Sequence, residues 1–349
     1  MGKGFTLPSK LDLGKLLLEG YETARHPELP QVKISAIAND SVATLVSFAY
    51  QFSSNPRSKA AMGLICGTGC NATIPLELSK LHPSKRPKRV KVFDTQTDDN
   101  LKITVNTEWT IKGAAGPLHE LNFITKWDTK LDSEGEAPGF QPFEYMTAGR
   151  YLGELGRIII VDYFTTHLAI NFSSLPPKLQ QRHGLSTTFL GNLGPHLAPP
   201  EPSKLKQLEK ELPPARSWKW TEEAAQAVFQ IANAIQRRAA GMIAAAMIAL
   251  LACAEEIHFS PSPATHFSNG TTKIKEAQID ELMVGYTGGC IVHFQNYLSD
   301  CQAFLDAIME EEFGGEARPR VVLRACHDGG IIGAGILAGT VDSIAHDSS

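Results

Sequence analysis

The sequence predicts an α/β layered fold, and three observations predict it. Two apolar runs, 32–38 and 63–66, each stop at a polar or glycine-rich turn. Asn39-Asp40 follows the first, and Gly67-Thr68-Gly69-Cys70-Asn71 follows the second. Further strand-like runs and segments of helical periodicity occupy the rest of the chain. Hydrophobic residues make up 43 % and charged residues 20 %, which is enough apolar material for a large buried core. The 349 residues fit one large domain or two moderate ones.

Taken in order, residues 1–8 read as a glycine-rich loop, and leucines at helical spacing make 11–24 a surface helix. The turn at 26–30 leads into the apolar run 32–38, the first expected strand. Residues 41–52 are expected to be helical despite their β-branched content. Asp40 then has two readings. It caps the helix that follows, or it is a carboxylate at the carboxyl end of a strand, where open α/β sheets bind ligands. Gly67 and Gly69 likewise mark a tight turn, or a place where backbone N–H groups approach a phosphate. No Gly-Lys-Ser/Thr follows, so this is not a P-loop.

Further along, 76–87 is a basic, proline-broken connector, and 88–93 and 101–106 are expected strands. Residues 107–142 read as irregular. Residues 143–162 read as one strong helix, with Leu152, Leu155, Ile159 and Ile160 on one face. Residues 178–216, rich in proline and glycine, are a surface excursion. Residues 218–254 make one long helix or two. Thr221, Glu222 and Glu223 suit its start, and Gly241 is a point of interruption. Strands are expected at 279–286 and 321–325, with a helix at 294–313 between them. A small-residue helix spans 333–345. No internal repeat is visible.

Composition excludes several classes. Net charge is −4 and the isoelectric point is near 6.3, which gives nucleic acid no footing as a partner. The six cysteines form no CxxC pair, so zinc sites and a disulfide framework are not expected and a reducing compartment fits. Cys66 and Cys70 read as core thiols. The eleven histidines show no ligand spacing, so no metal site is expected. No signal-peptide pattern opens the chain. The most apolar run, 239–254, falls short of the roughly 20 residues that span a bilayer and reads as a buried helix. A cytoplasmic protein without a membrane span is expected.

Five segments carry a resemblance. ANDSVATL (38–45) followed by GLICGTGCNA (63–72) resembles the hexokinase family, in which an Asn-Asp-Thr segment precedes a Gly-Thr-Gly-x-Asn loop. NTEW (106–109), FEYMTAGRYLGELGR (143–157) and HDGGIIGAG (327–335) follow in the family's order. The resemblance implies an actin-like ATPase (ribonuclease H-like) fold. It also implies ATP-dependent phosphorylation of a hexose or N-acetylhexosamine at the 6-hydroxyl, as in glycolysis and related carbohydrate metabolism. ATP and a sugar are then the partners, with Mg²⁺ entering on the nucleotide. Homodimerisation is left open.

By the same resemblance, Asp40 is the catalytic base. Asn39 and Asn71 donate to sugar hydroxyls, and Glu108 of NTEW and Glu154 of YLGE accept from them. Lys3 of GKGF also meets the sugar. Gly67, Thr68 and Gly69 meet the nucleotide phosphates. Asp328, Gly329 and Gly330 resemble a nucleotide-side turn with glycine in place of serine, and 285–289 falls where the family has an adenosine loop. Read from spacing alone, Glu154 could instead pair with Arg157 at i+3.

The sequence also departs from the family. An Asp-Leu-Gly-Gly-Thr segment and a Ser-Phe-Pro segment are expected upstream of GKGF, and neither occurs. The expectation is a truncated chain of weakened activity. Residues 1–38 would be a remnant of the small domain and 39–327 the large domain. Residues 328–349 would be a helix that returns to the small domain, with little to pack against. Glu108-Trp109 runs on into Thr110 and IKGAAGP, which resembles the fungal hexokinase-type N-acetylglucosamine kinases. The small tract 113–116 would leave room for a 2-acetamido group. The alternative to an enzyme is a non-catalytic hexokinase-like regulator or sugar sensor.

Overall fold

Apolar runs too short for helices pair into one sheet. The structure, a computed structural model, describes residues 11–52, 55–87, 101–193, 202–214, 218–259, 279–314 and 319–346. Lys3 and the strand expected at 88–93 lie outside the described residues. The strands are β1 (Ser58–Cys66), β2 (Cys70–Glu77), β3 (Lys102–Asn106), β4 (Glu281–Thr287) and β5 (Arg320–Ala325). They align in the order β3-β2-β1-β4-β5. The β1–β2 and β2–β3 pairs are antiparallel, whereas β1, β4 and β5 run parallel. Tyr286 pairs with Leu64 on one side and Ala325 on the other, so the carboxyl ends of the three parallel strands share one edge.

Alternation along β4 sorts the two faces of the sheet. Leu282, Val284 and Tyr286 belong to the main core. Met283 turns to the other face and meets Phe48 and Cys326. That second face is covered by α2 (Asp40–Gln51). Asn39 caps α2 by accepting from the Ser41 N–H at 2.9 Å, and Asp40 supplies an acid in its first turn. Two glycines let α2 lie close to the sheet. A Cβ on Gly63 would come 2.9 Å from the Ser41 carbonyl, and one on Gly285 would come 2.5 Å from the Phe48 ring.

The main core is organised by α10 (Glu222–Cys253), a single helix. Thr221 caps it by accepting from the Ala224 N–H at 3.1 Å, and Gly241 does not interrupt it. A Cβ on Gly241 would stand 3.4 Å from the Phe304 ring. Phe304 belongs to α12 (Tyr297–Phe313), which follows the short α11 (Gly289–His293). Among the described residues, α10 is the helix long and apolar enough to cross a bilayer. Here Phe229, Ile243 and Met247 are buried inside the fold.

Four expectations need correction. Residues 31–39 form no strand: Ile37 is 58 % exposed, and no described strand lies beside them to complete a ladder. They follow α1 (Leu13–Ala24), a helix with no buried residue. Residues 107–142 are not irregular throughout, since they hold α3 (Ala115–Glu120) and α4 (Lys126–Ser133), the latter closed by a Thr125–Asp128 capping box. The helix expected at 143–162 is two, α5 (Pro142–Thr147) and α6 (Gly149–Thr166), separated by Ala148 in extended geometry. Leu152, Leu155 and Ile160 of α6 are fully buried, while Ile159 is half-buried. The excursion at 178–216 contains α7 (Pro177–Gln180), α8 (Thr187–Gly191) and α9 (Pro202–Glu211) in part or whole.

The last element, α13 (Gly329–His346), does find a partner: it packs along α2. Gly329 makes this possible, since a Cβ there would sit 2.7 Å from the Cys326 sulfur and 3.2 Å from the Thr44 Cα. A Cβ on Gly333 would run into the Ala43 backbone. The expectation of a helix with little to pack against is thereby overturned.

Phe48 has no exposed surface and is the largest side chain in the core between α2 and the sheet. Phe48→Ala should cost about 3–5 kcal/mol, read as a lower urea midpoint at unchanged m-value. A loss below about 1 kcal/mol would mean that α2 is not anchored through this ring.

Candidate active site

The β1–β2 hairpin divides the carboxyl edge of the sheet into two sides. Its loop, Gly67-Thr68-Gly69, is closed by the Gly67 N–H donating to the Gly69 carbonyl at 2.9 Å. The loop is then tied to the start of α6. The Gly149 N–H donates to the Gly67 carbonyl at 2.8 Å, and the Arg150 N–H donates to the Thr68 carbonyl at 3.1 Å. These bonds use N–H groups that a helix start leaves without an internal partner, and they account for the break at Ala148. Only glycine fits at two neighbouring points. A Cβ on Gly149 would come 2.7 Å from the Gly67 carbonyl, and Gly288, at φ +125°, would drive one into the Cys66 carbonyl.

On one side of the hairpin lies a network of amides, hydroxyls and carboxylates. The Ser41 hydroxyl is buried at its centre, 2.5 Å from the Thr73 hydroxyl. It donates to Asn39 Oδ1 at 2.6 Å and accepts from Asn71 Nδ2 at 3.4 Å. Asn71 Nδ2 also donates to Asn106 Oδ1 at 2.6 Å and to Glu108 Oε1 at 3.5 Å. Asn106 Nδ2 donates to the same Glu108 oxygen at 2.9 Å. Glu108 has φ +47°, a left-handed conformation that a non-glycine residue adopts at a cost. Asp40 stands at the open rim, exposed, with one carboxylate oxygen accepting from the Ser41 N–H at 2.9 Å. The structure therefore brings Asn39, Asp40, Asn71 and Glu108 together, and adds Ser41 and Asn106.

Glu154 is not among them. Its carboxylate is 1 % exposed and held in a two-pronged contact by Arg157, at 2.6 Å and 2.9 Å. The His183 N–H donates to it at 2.5 Å, and Arg157 also donates to the Leu179 carbonyl at 2.9 Å. A buried carboxylate must be paired. Glu154 meets that need by fastening α6 to the 179–183 turn, so its assignment to the sugar is corrected. The acid that reaches the hairpin from this stretch is Glu144 of α5, buried, whose Oε2 accepts from the Cys70 N–H at 3.4 Å and the Thr110 hydroxyl at 3.3 Å. Sequence reasoning missed it. The break at Ala148 aims α5 and α6 differently, and the one available signal was its place within FEYM.

On the other side of the hairpin is a cleft of about 400 Å³. Gly67 and Thr68 form one wall, Gly149, Arg150 and Thr187 another, and Gly289, Cys290 and His293 a third. Thr187 is fixed by donating to the Gly149 carbonyl at 2.5 Å and accepting from the Gly153 N–H at 2.9 Å. Asp328, Gly329 and Gly330 do not line this cleft. They turn from β5 into α13, with Asp328 at φ +54°. Gly285 lies within β4. Among the described residues no group of three or more His, Cys, Asp or Glu could hold a metal ion. The thiols beneath the loop are not nucleophiles. Hydrogen bonding with Cys290, then burial, pushes Cys66 well above the usual range, and burial, then Cys66, does the same to Cys70.

The sequence model of the family described as Hexokinase matches residues 61–340. A hexokinase of Schistosoma mansoni is 37 % identical over 160 residues, which are 46 % of this chain and 31 % of that protein. Glucokinase-1 of Saccharomyces cerevisiae is 24 % identical over 96 % of this chain and 63 % of its own length. Among solved structures, the Schistosoma mansoni hexokinase complexed with glucose aligns with a TM-score of 0.68 at 25 % identity, covering 93 % of this chain and 61 % of that one. The fold is accordingly the actin-like ATPase fold, and the chain spans less than two thirds of the length of these relatives.

The reassignment of Glu154 has a direct test. Glu154→Gln leaves the Arg157 charge buried without a counter-charge and should cost about 3–5 kcal/mol, read as a lower melting temperature. Sugar affinity of the folded variant should not change. Unchanged stability together with lost sugar binding would restore Glu154 to the site.

Proposed function

The chain belongs to the hexokinase family, and on that premise we propose that it transfers the γ-phosphoryl group of ATP to the 6-hydroxyl of a hexose. The observation that carries this reading is the pairing of two different environments across one hairpin. Carboxylates and amides that suit a polyhydroxylated ring stand on one side, and a cleft lined by Thr68, Arg150, Thr187 and His293 stands on the other.

In this reading, Asn71, Glu108, Asn39 and Glu144 hold the sugar hydroxyls. Their geometry is fixed beforehand by the bonds through Ser41 and Asn106, so little ordering remains to be done on binding. Asp40 accepts the proton of the 6-hydroxyl as its oxygen attacks the γ-phosphorus. The bond from phosphorus to the bridging oxygen then breaks, and ADP leaves. Gly67, Thr68 and Arg150 line the side on which the phosphates lie. Gly67, Thr68 and Arg150 would hold the nucleotide with its Mg²⁺, which would supply neutralisation of the phosphate charge. Gly329 acts indirectly, by seating α13 on α2, the helix that begins at Asp40.

The sugar is glucose or N-acetylglucosamine. The names of the relatives favour glucose. In favour of an N-acetyl group, a Cβ on Gly113 or Gly116 would meet nothing within 4 Å, so this tract is open. A sugar-sensing regulator would use the same residues without turnover, and release of ADP distinguishes it from a kinase.

Asp40→Asn should lower kcat by about 10²–10⁴-fold while sugar binding persists, because Asn39 still caps α2. ADP release measured with glucose and with N-acetylglucosamine checks both points. Full turnover by the Asn variant would remove Asp40 as the base, and no turnover by the unaltered chain with either sugar would remove the kinase reading for this chain.

A further inference from the structure

A groove of about 750 Å³ runs along the outer side of α10, apart from both sides of the hairpin. Its floor is made by Gly241, Ala245 and Ala249, which recur every fourth residue on one helix face and leave no side chain to fill it. Leu121 and Phe123 form one wall and stand 66 % and 44 % exposed, while Phe304 of α12 forms the other. The volume lies in the range of small-molecule sites, and the walls are apolar as such sites are.

The polar groups in the groove are of one sign. Arg237 and Arg238 line it, and no carboxylate does. Arg237 continues the same helical row as the floor residues, one turn before Gly241. Its guanidinium lies 5.7 Å from the centre of the Phe304 ring, and among the described residues no carboxylate pairs with it. Arg238 donates from both terminal nitrogens to Asp128, each at 2.8 Å. Its Nε is buried without an acceptor among the described residues.

We propose that this groove binds an anionic amphiphile with one acyl chain, a long-chain fatty acid. The hydrocarbon lies along 241–249, and the carboxylate sits at Arg237. A neutral chain would leave Arg237 without a counter-charge, and a cationic amphiphile would meet it unfavourably. The site shares no lining residue with the cleft beside Thr68, so the inference stands independently of the kinase reading.

The test uses the full chain and dodecanoate below its micelle concentration, followed by titration calorimetry, with dodecyltrimethylammonium and dodecanol as controls. One dodecanoate should bind per chain, and each methylene removed should weaken binding about fourfold. Arg237→Glu should weaken it at least about tenfold. Ala245→Phe, which fills the floor, should abolish it, with Ala249→Phe as a second filler and circular dichroism to establish folding. Equal binding of the cationic amphiphile, unchanged binding in both fillers, or no binding at all would overturn the proposal. So would a dimer of the unaltered chain that the fillers split into monomers without any dodecanoate binding, since the groove would then be covered by a second copy.

Discussion

The hydrogen bond from the Gly149 N–H to the Gly67 carbonyl, at 2.8 Å, is the contact on which the rest of the site depends. It fixes the tip of the β1–β2 hairpin against the start of α6. In doing so it ends α5 at Thr147, and α5 is the helix that aims Glu144 at Cys70 and Thr110. The hairpin is thereby a rigid partition. The amide of Asn71, at the start of β2, faces the acid and hydroxyl network, while Thr68 at the tip lines the opposite cleft. The closeness of this joint requires glycine at 149 and 288, because any side chain there would displace the backbone it touches.

Charge follows the same division. The acids open to solvent, Asp40 and Glu108, are at the rim of the site. Two acids sealed inside the fold are paired, Glu154 with Arg157 and Asp128 with Arg238, while buried Glu144 accepts from the Cys70 N–H and the Thr110 hydroxyl. Burial of a charge is tolerated where a guanidinium can meet both carboxylate oxygens. A carboxylate used for proton transfer must instead keep a face free for its substrate. Asp40, the proposed base, is exposed, and one of its oxygens shares the Ser41 N–H with the cap residue Asn39.

Much of this was legible in the sequence, for identifiable reasons. The runs 63–66, 101–106, 279–286 and 321–325 are apolar and bounded by turn residues, and each became a strand. Thr221 with two following glutamates marked the start of α10 correctly, because a capping residue and an acidic first turn act locally. The gathering of Asn39, Asp40, Asn71 and Glu108 was also visible, through the order of the motifs that carry them. What failed was decided by long-range contact. Residues 32–38 have a strand's composition but, among the described residues, no strand beside them to pair with. The break at Ala148 is made by two carbonyls from the hairpin, far away in sequence. Glu144 and Glu154 look equivalent in one helical stretch, and only that break assigns one to the site and the other to Arg157. Arg150, Thr187 and His293 reach the cleft from three separate segments and carry no shared local pattern.

The central claim is that one hairpin holds sugar and nucleotide on its two sides, with Asp40 beside the reacting hydroxyl. A crystal structure of this chain with glucose and a non-hydrolysable ATP analogue tests it most directly. The account predicts the 6-hydroxyl oxygen about 2.6–3.2 Å from the Asp40 carboxylate, the other hydroxyls on Asn71 and Glu108, and the phosphates against Thr68. A sugar bound away from Asp40 and Asn71, or a nucleotide seated outside the cleft between Thr68 and His293, would contradict it.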